Sequence, residues 1–340
     1  MKIILTGGAG FIGSELSEYI LKNLKNNKIN VIDNLSRGYL QRIKDIKKKI
    51  HFIKADVKKI NDLKINKVDW IIHASAIAPL PDNQVSHKSS LDENLSQCGA
   101  IVDFCLKTGT KNILFLSSSA VYENTKSKLF SENKLNQPIL MYPLSKYLAE
   151  KYFESVCKSY NLNVVSLRLA NVFGRKQDYF RKQMPFLGYL IKNSLLKKKL
   201  TLYAKGDFKR DYLFIDDLSR LILIILKNKK FKHKCKIYEV LNVGSGSRYS
   251  VPDFVILIQK ILKQKIKIKW GKKIDYWKKY EFLYKSKIKF NQKLIEKEVK
   301  KKVALNLKKV EKIYNWKSNY GVEQGLKECV FTAKKIMKIK

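Results

Sequence analysis

Through the first half of the chain, short apolar runs alternate with longer stretches in which apolar residues recur every three or four positions. The runs at 2–6, 30–32, 51–54, 70–73, 112–116 and 164–169 have strand length, and the stretches at 14–24, 91–107 and 140–160 have helical length and period. This alternation predicts an α/β fold, a parallel sheet covered by helices on both faces. A further strand is expected at 237–243, and a helix at 251–262, where Ser250 and Pro252 are start signals. Beyond Lys263, lysine occupies so many positions that the contrast between polar and apolar faces blurs, and no element is assigned there.

A chain of 340 residues can bury a large core and suits one two-lobed enzyme or two closely joined domains. The apolar start, Met1 to Leu5, meets a glycine turn too soon for a signal peptide. The most apolar internal run, 221–226, is far below the ~20 residues of a membrane span. Five scattered cysteines (Cys98, Cys105, Cys157, Cys235, Cys329) form no C-x-x-C pair and read as reduced thiols in a cytoplasmic setting, without a disulfide framework or a metal site. The net charge of +41 raises a nucleic-acid reading. Only eight of the 70 basic residues are arginine, however, and the lysines are spread along the chain, which argues for compositional drift over a binding design. Trp270, Tyr276, Trp277 and Tyr280, in the lysine-rich stretch 259–317, could stack on bases, but a solvated surface with some buried aromatics is the simpler account. The surplus charge suits anionic substrates such as phosphorylated sugars.

Candidate chemistry begins at the end of the first predicted strand. Gly7, Gly10 and Gly13 permit a tight turn, close approach of backbone to a pyrophosphate and close helix packing, with the anion on the helix N-terminus. Asp33 follows Gly13 by twenty residues at the end of the second strand. An acid there accepts hydrogen bonds from ribose hydroxyls and repels a 2′-phosphate, which favours NAD over NADP; Arg37 nearby is the residue that could accommodate that phosphate. Downstream, Tyr142 and Lys146 are spaced Y-x-x-x-K after a serine cluster at 117–119. A phenol with a pKa near ~10 is a poor base at neutral pH. A lysine four residues on shares its helix face and favours the phenolate, and a serine hydroxyl can hold the substrate oxygen. Together they describe a tyrosine that takes a proton from an alcohol while hydride leaves its carbon for a nicotinamide cofactor.

With these motifs in this order the chain resembles the extended short-chain dehydrogenase/reductase family, in particular its NAD-dependent sugar-nucleotide epimerase/dehydratase group of UDP-glucose 4-epimerase-like enzymes. The resemblance rests on T-G-G-A-G-F-I-G at 6–13, V-I-D-N-L-S-R-G at 31–38, A-D-V at 55–57, H-A-S-A at 73–76 and S-S-S-A-V-Y at 117–122. It continues through Y-P-L-S-K at 142–146, R-L-A-N-V-F-G at 168–174, R-D-Y-L-F-I-D-D at 210–217 and N-V-G-S-G-S at 242–247. It implies a doubly wound parallel-sheet Rossmann fold, with an NAD-binding domain over 1–174 that returns near 212–245. A smaller, mostly C-terminal lobe over 175–340 would take the nucleotide sugar. NAD would meet Gly7, Gly10, Phe11, Ile12, Gly13, Asp33 and Asn34, with Asp56 and Val57 flanking the adenine and Ala74 and Ala76 lining the cleft. Asn94, Tyr142 and Lys146 would stand at the nicotinamide half, although Asn94 taken alone reads as a helix-surface residue. Ser118, four residues before Tyr122, matches the catalytic hydroxyl, with Ser119 as the fallback; serines in such a cluster also satisfy loop N–H groups. Asn171 would contact the sugar or its phosphates, and Arg210 would grip the diphosphate as a planar fork, or else pair with Asp211 or Asp216.

The resemblance also bears on the reaction. The 4,6-dehydratases and the decarboxylase branch carry acids after the catalytic hydroxyl, where this chain has Ser119 and Ala120. The expected activity is therefore 4-epimerisation of a nucleotide sugar, UDP-glucose/UDP-galactose or the N-acetyl forms, in surface polysaccharide synthesis. A related reductase, an epimerase at another carbon, and a non-catalytic NAD- or nucleic-acid-binding protein are the alternatives. Three departures stand out: Glu123 replaces the usual glycine after V-Y and bears on the loop shape; Pro143 follows Tyr142 directly; and no arginine occurs after Arg248 to hold the diphosphate a second time, a role open to Lys285 or Lys287. Family members pair as homodimers through two helices per subunit, here 91–107 and 140–160.

Overall fold

In the computed structural model, which describes residues 1–77, 86–180, 184–203, 209–272, 285, 287–288, 290–291, 293–294 and 304–339, the predicted strands assemble into one parallel sheet. Its strands are β1 (Lys2–Thr6), β2 (Lys28–Ile32), β3 (His51–Ile53), β4 (Trp70–His73), β5 (Asn112–Ser118), β6 (Asn163–Leu169) and, after an excursion through β7 (Asn171–Phe173), β8 (Leu200–Leu202) and β9 (Arg210–Phe214), β10 (Tyr238–Val243). The spatial order is β3-β2-β1-β4-β5-β6-β10. The chain winds outward from β1 in one direction and then, from β4, in the other, so the crevice for a ligand opens at the carboxyl ends of β1 and β4.

Register fixes what meets there. Thr6 at the end of β1 is level with Ile32 on β2 and His73 on β4, so the glycine turn, Asp33 and Ala74 leave the sheet side by side. Along the strands alternate residues enter different cores. Ile3, Leu5, Val31, Ile72, Leu114, Leu116, Val165 and Leu167 pack on one face with α1 (Phe11–Asn23). Ile4, Ile32, Ile71, Ile113, Phe115 and Val164 pack on the other with α2 (Gln97–Thr108) and α3 (Met141–Ser159). Both faces are covered, which is why these strands read as unbroken apolar runs.

Two helices depart from expectation. α1 begins at Phe11, three residues before the predicted start, because the glycine turn closes straight into it, with Gly10 N–H donating to the Gly7 carbonyl and Ser14 N–H to that of Gly10. The helix expected over 91–107 is three pieces: a short helix His87–Leu91, a π-turn Asp92–Ser96, and α2, ended by Gly109 in the left-handed conformation (φ 73°). A π-turn adds a residue and rotates its neighbours; here it carries Asn94 inward, to 3% exposure, against the expectation of a surface residue.

Further along, α4 (Phe186–Leu195), α5 (Ile215–Lys227), α6 (Val251–Leu262) and α7 (Val322–Met337) complete the outer layers. α6 matches its predicted bounds because Ser250 and Asp253 form a capping box. A small sheet, β7-β9-β11, is closed by β11 (Arg248–Tyr249), and β8 pairs with β12 (Ile268–Trp270). α7, in the stretch left unassigned, buries Val322, Leu326, Cys329, Val330 and Ala333 along one stripe. Trp270 lies on β12, half-buried; Tyr276, Trp277 and Tyr280 lie outside the described residues.

Candidate functional site

The crevice is a groove with a free volume of about 110 Å³ lined by Gly7, Gly10, Asp33, Asn34, Val57, Ala74 and Ala76 from the sequence-derived set, joined by Ser36, Arg37, Gly38, Ser75, Ile77, Glu93 and Gln97. A larger hollow of about 820 Å³ lies elsewhere, lined by residues such as Glu132, Tyr147, Lys151, Tyr238 and Lys309, and includes none of the expected site residues. We place the site at the smaller groove because the topology and the charged groups converge there.

Gly7 sits at φ +69°, where a side chain is strained, and a Cβ on it would come within 2.8 Å of the Ser75 backbone. No side chain caps the start of α1, so the first-turn N–H groups over Phe11, Ile12 and Gly13 remain for an anion. Asp33 is held by backbone donors: Ala9 N–H gives to its Oδ2 at 2.9 Å and Leu35 N–H to its Oδ1 at 2.8 Å. Burial pushes its carboxyl above the ordinary value, while these N–H groups pull the other way. Gly38 passes so near that a Cβ there would meet both Asp33 oxygens at 2.8 Å. Asp56 accepts from Lys58 N–H at 2.9 Å and starts the short helix of Val57. A glycine turn under bare helix N–H groups, beside a buried acid tethered at β2, fits the pyrophosphate and ribose of a dinucleotide.

At the next strand ends stand the proton-handling groups. Ser118 closes β5 and its Oγ accepts from Ala120 N–H at 3.1 Å. The half-buried Tyr142, on the first turn of α3, lies near enough to the same serine for that hydroxyl to act on its phenol. Burial holds the Tyr142 phenol above its ordinary pKa and the Ser118 contact opposes it. Burial and Ser118 are thus the two influences on this phenol. The Lys146 ammonium is turned instead to the Leu116 carbonyl at 2.8 Å, 4.6 Å from the Phe115 ring centroid, and burial lowers its pKa to about 8. Beneath it, burial and the Lys146 charge lower the His73 pKa to about 3, so this ring is neutral; its Nδ1 is 2.9 Å from Thr6 Oγ1. Asn94 accepts from Ile77 N–H at 3.0 Å and donates to Ser145 Oγ at 3.0 Å, and Ser145 donates to the Tyr142 carbonyl at 2.9 Å.

Not every expected residue reaches the groove. Phe11, Ile12, Gly13, Asp56, Asn94, Ser118, Ser119, Tyr142 and Lys146 are not among the residues that line it. Asn171 is exposed on β7, level with Tyr212 on β9, and Arg210 opens β9 opposite Tyr249. Of the acids named as alternative partners for Arg210, Asp211 accepts from Ser245 and Gly246 N–H, and Asp216 pairs with Arg175 at 2.5 Å. Lys285 and Lys287 are exposed. Sequence reasoning missed Ser75, although it lies inside the H-A-S-A motif, and Glu93 and Gln97, which belong to no motif; Gln97 is hydrogen-bonded by Ser75 and donates to Glu93 at 3.1 Å. Among the described residues no group of three or more His, Cys, Asp or Glu side chains could hold a metal, and no helix is long and apolar enough to cross a membrane.

An order of strands that reverses between β1 and β4, with a glycine turn over that point and serine and tyrosine two strands away, defines an NAD-dependent enzyme of the extended short-chain dehydrogenase/reductase type. The chain belongs to the NAD dependent epimerase/dehydratase family, whose sequence model matches residues 3–244. It is 31% identical over 286 residues to a Bacillus subtilis (strain 168) protein described as an uncharacterized UDP-glucose epimerase, YtcB, covering 81% of this chain and 86% of that one. It is 30% identical to the dTDP-D-glucose 4,6-dehydratase of Dictyostelium discoideum over 73% of this chain and 59% of that protein. Among solved structures, the UDP-glucose 4-epimerase of Thermotoga maritima, with UDP-glucose, superposes with a TM-score of 0.82 over 99% of this chain and 100% of that one; at 23% identity the likeness is one of fold.

Proposed function

We propose that the protein is a nucleotide-sugar 4-epimerase acting on UDP-glucose/UDP-galactose or their N-acetyl forms. Both epimerases and dehydratases are among its relatives, so the choice rests on the site. The observation that carries it is the turn Ser119–Tyr122 after Ser118: it offers Ser119 and Ala120 where the dehydratase pattern requires acids, while Ser118 and Tyr142 lie near one another. Without a carboxyl to drive elimination, proton exchange at one hydroxyl is the chemistry these side chains can perform.

In this reading Gly7, Gly10, Asp33 and Asn34 hold the dinucleotide, and bound NAD supplies the acceptor and later the donor of the C4 hydride. Ser118 holds O4 of the sugar. Tyr142 takes the O4 proton as the carbinol becomes a ketone and returns it when the opposite face has been presented, so nothing is oxidised or reduced overall. Lys146 places positive charge under this corner of the site. Arg210, on β9, and Asn171, on β7, hold the diphosphate and sugar from the lobe over 175–340. The protein works as a cytoplasmic homodimer in polysaccharide synthesis. Leu106 on α2 and Leu148 and Tyr152 on α3, exposed at 45%, 37% and 37%, are apolar residues such pairing would cover.

Incubating the purified protein with a panel of nucleotide sugars, without added cofactor, tests the reading: interconversion of C4 epimers is expected. Strict dependence on added NADPH would overturn it in favour of a reductase, which Arg37 in the groove wall would suit.

A further inference from the structure

Glu123, where the family has glycine, ties the turn that carries Ser118 to the helix that carries Tyr142. It directly follows the turn Ser119–Tyr122, and its side chain is buried. One oxygen, Oε2, accepts from Ile139 N–H at 2.7 Å and from Leu140 N–H at 3.3 Å, sixteen and seventeen residues along the chain. Leu140 is the N-cap of α3, and its side chain cannot cap; nor does α3 have an acid in its first turn. Glu123 therefore supplies from a distant element the acceptor and the negative charge that a helix start otherwise draws from its own residues. Its other oxygen, Oε1, is buried without a hydrogen-bond partner among the described residues, so the hydrogen bonds this carboxylate makes go to that segment alone.

We propose that Glu123 is a positioning residue that clamps the first turn of α3 against the Ser118 turn and so sets where the Tyr142 phenol stands relative to Ser118. A glycine at 123 could not reach. The Ile139 and Leu140 N–H groups would then lose their acceptor, and the first turn of α3, with Tyr142 two residues further on, would lose its tie to the Ser118 turn, while Lys146 and Glu150 still hold the later turns of α3 to β5. The residue touches neither sugar nor dinucleotide in this account; it acts through Tyr142. The kinetic consequence rests on the epimerase reading, whereas the geometric consequence stands without it.

The test compares Glu123→Ala and Glu123→Gln with wild type. In Glu123→Ala, kcat per folded molecule should fall roughly 10- to 100-fold, as expected of a reacting group displaced by about 1 Å, with KM for the sugar nearly unchanged. Glu123→Gln, which keeps one oxygen to accept both N–H groups, should recover most of that rate. A purely structural role would lower the melting temperature of Glu123→Ala and leave kcat per folded molecule at the wild-type value, which overturns the proposal; so does a Gln variant as slow as the Ala variant. Should Glu123→Ala not fold, Glu123→Asp, shorter by one methylene, is judged by the same kcat criterion. If wild type turns over no sugar, the epimerase reading fails by itself. Crystal structures of wild type and Glu123→Ala then decide the matter: a displaced 139–142 segment and a lengthened Ser118–Tyr142 distance are expected, and an unmoved first turn overturns it.

Discussion

Tyr142 and Lys146 show how far a spacing can be read and where environment takes over. Their types and separation were legible, but the burial that raises the phenol was not, since it depends on what folds over it. A phenol held above its ordinary pKa gains phenolate tenfold per pH unit below that value. We expect log kcat/KM to climb through neutral into alkaline pH, and Tyr142→Phe to lose roughly 10²–10⁴ in kcat while still binding NAD; pH–rate profiles and a cofactor titration check both. For Lys146 the sign runs the other way. Its folded pKa, about 8, lies below the unfolded one, so the folded state binds this proton less tightly and stability rises with pH between about 8 and 10.5. Lys146→Met should then be more stable than wild type at neutral pH by up to about 3 kcal/mol, less the lost bond to the Leu116 carbonyl, with the gap closing above pH 8. Denaturant titrations at the two pH extremes read this directly.

The elements around the site are joined by a buried polar chain. Ser117 on β5 donates to Glu150 Oε1 on α3 at 2.5 Å, and Glu150 takes a two-pronged pair from Arg168 on β6, with Nη2 at 2.7 Å. Arg168 also donates to Tyr122 Oη at 2.8 Å, and that hydroxyl to Asn242 Oδ1 on β10 at 2.8 Å. Strand, helix and sheet edge are thereby held in one register beside Ser118. Glu150→Ala would leave Arg168 charged and unpaired at 4% exposure, and should destabilise the fold by about 3–5 kcal/mol. The double variant Glu150→Leu with Arg168→Met should lose far less, since no lone charge remains. Chemical denaturation of the three proteins separates these outcomes. None of this pairing was visible in the sequence. Eighteen residues separate the two partners, and only the packing of α3 against β6 brings them together.

For the whole molecule, the pattern of strands gave the parallel sheet, because a strand buried on both faces is apolar throughout. The C-terminal part escaped for the opposite reason. In α7 the stripe from Val322 to Ala333 is real, but it runs between lysines that flatten the contrast. At this scale the proposed pairing through α2 and α3 makes a sharp claim. Wild type should run as a dimer in light scattering, and Leu106→Glu with Leu148→Glu should run as a folded monomer, because each buried charge would stand against an apolar partner surface. A wild-type monomer would contradict the pairing.

What the sequence determined by itself is local or periodic: strand and helix type from the spacing of apolar residues, the glycine turn from backbone freedom, and a tyrosine and lysine one helical turn apart. Tertiary structure alone decided the inward turn of Asn94, the raised phenol, the buried Glu150–Arg168 pair and the reach of Glu123 to the start of α3. Each of these depends on burial or on contact between residues far apart in the chain, and such quantities exist only once the sheet has brought its carboxyl ends into register.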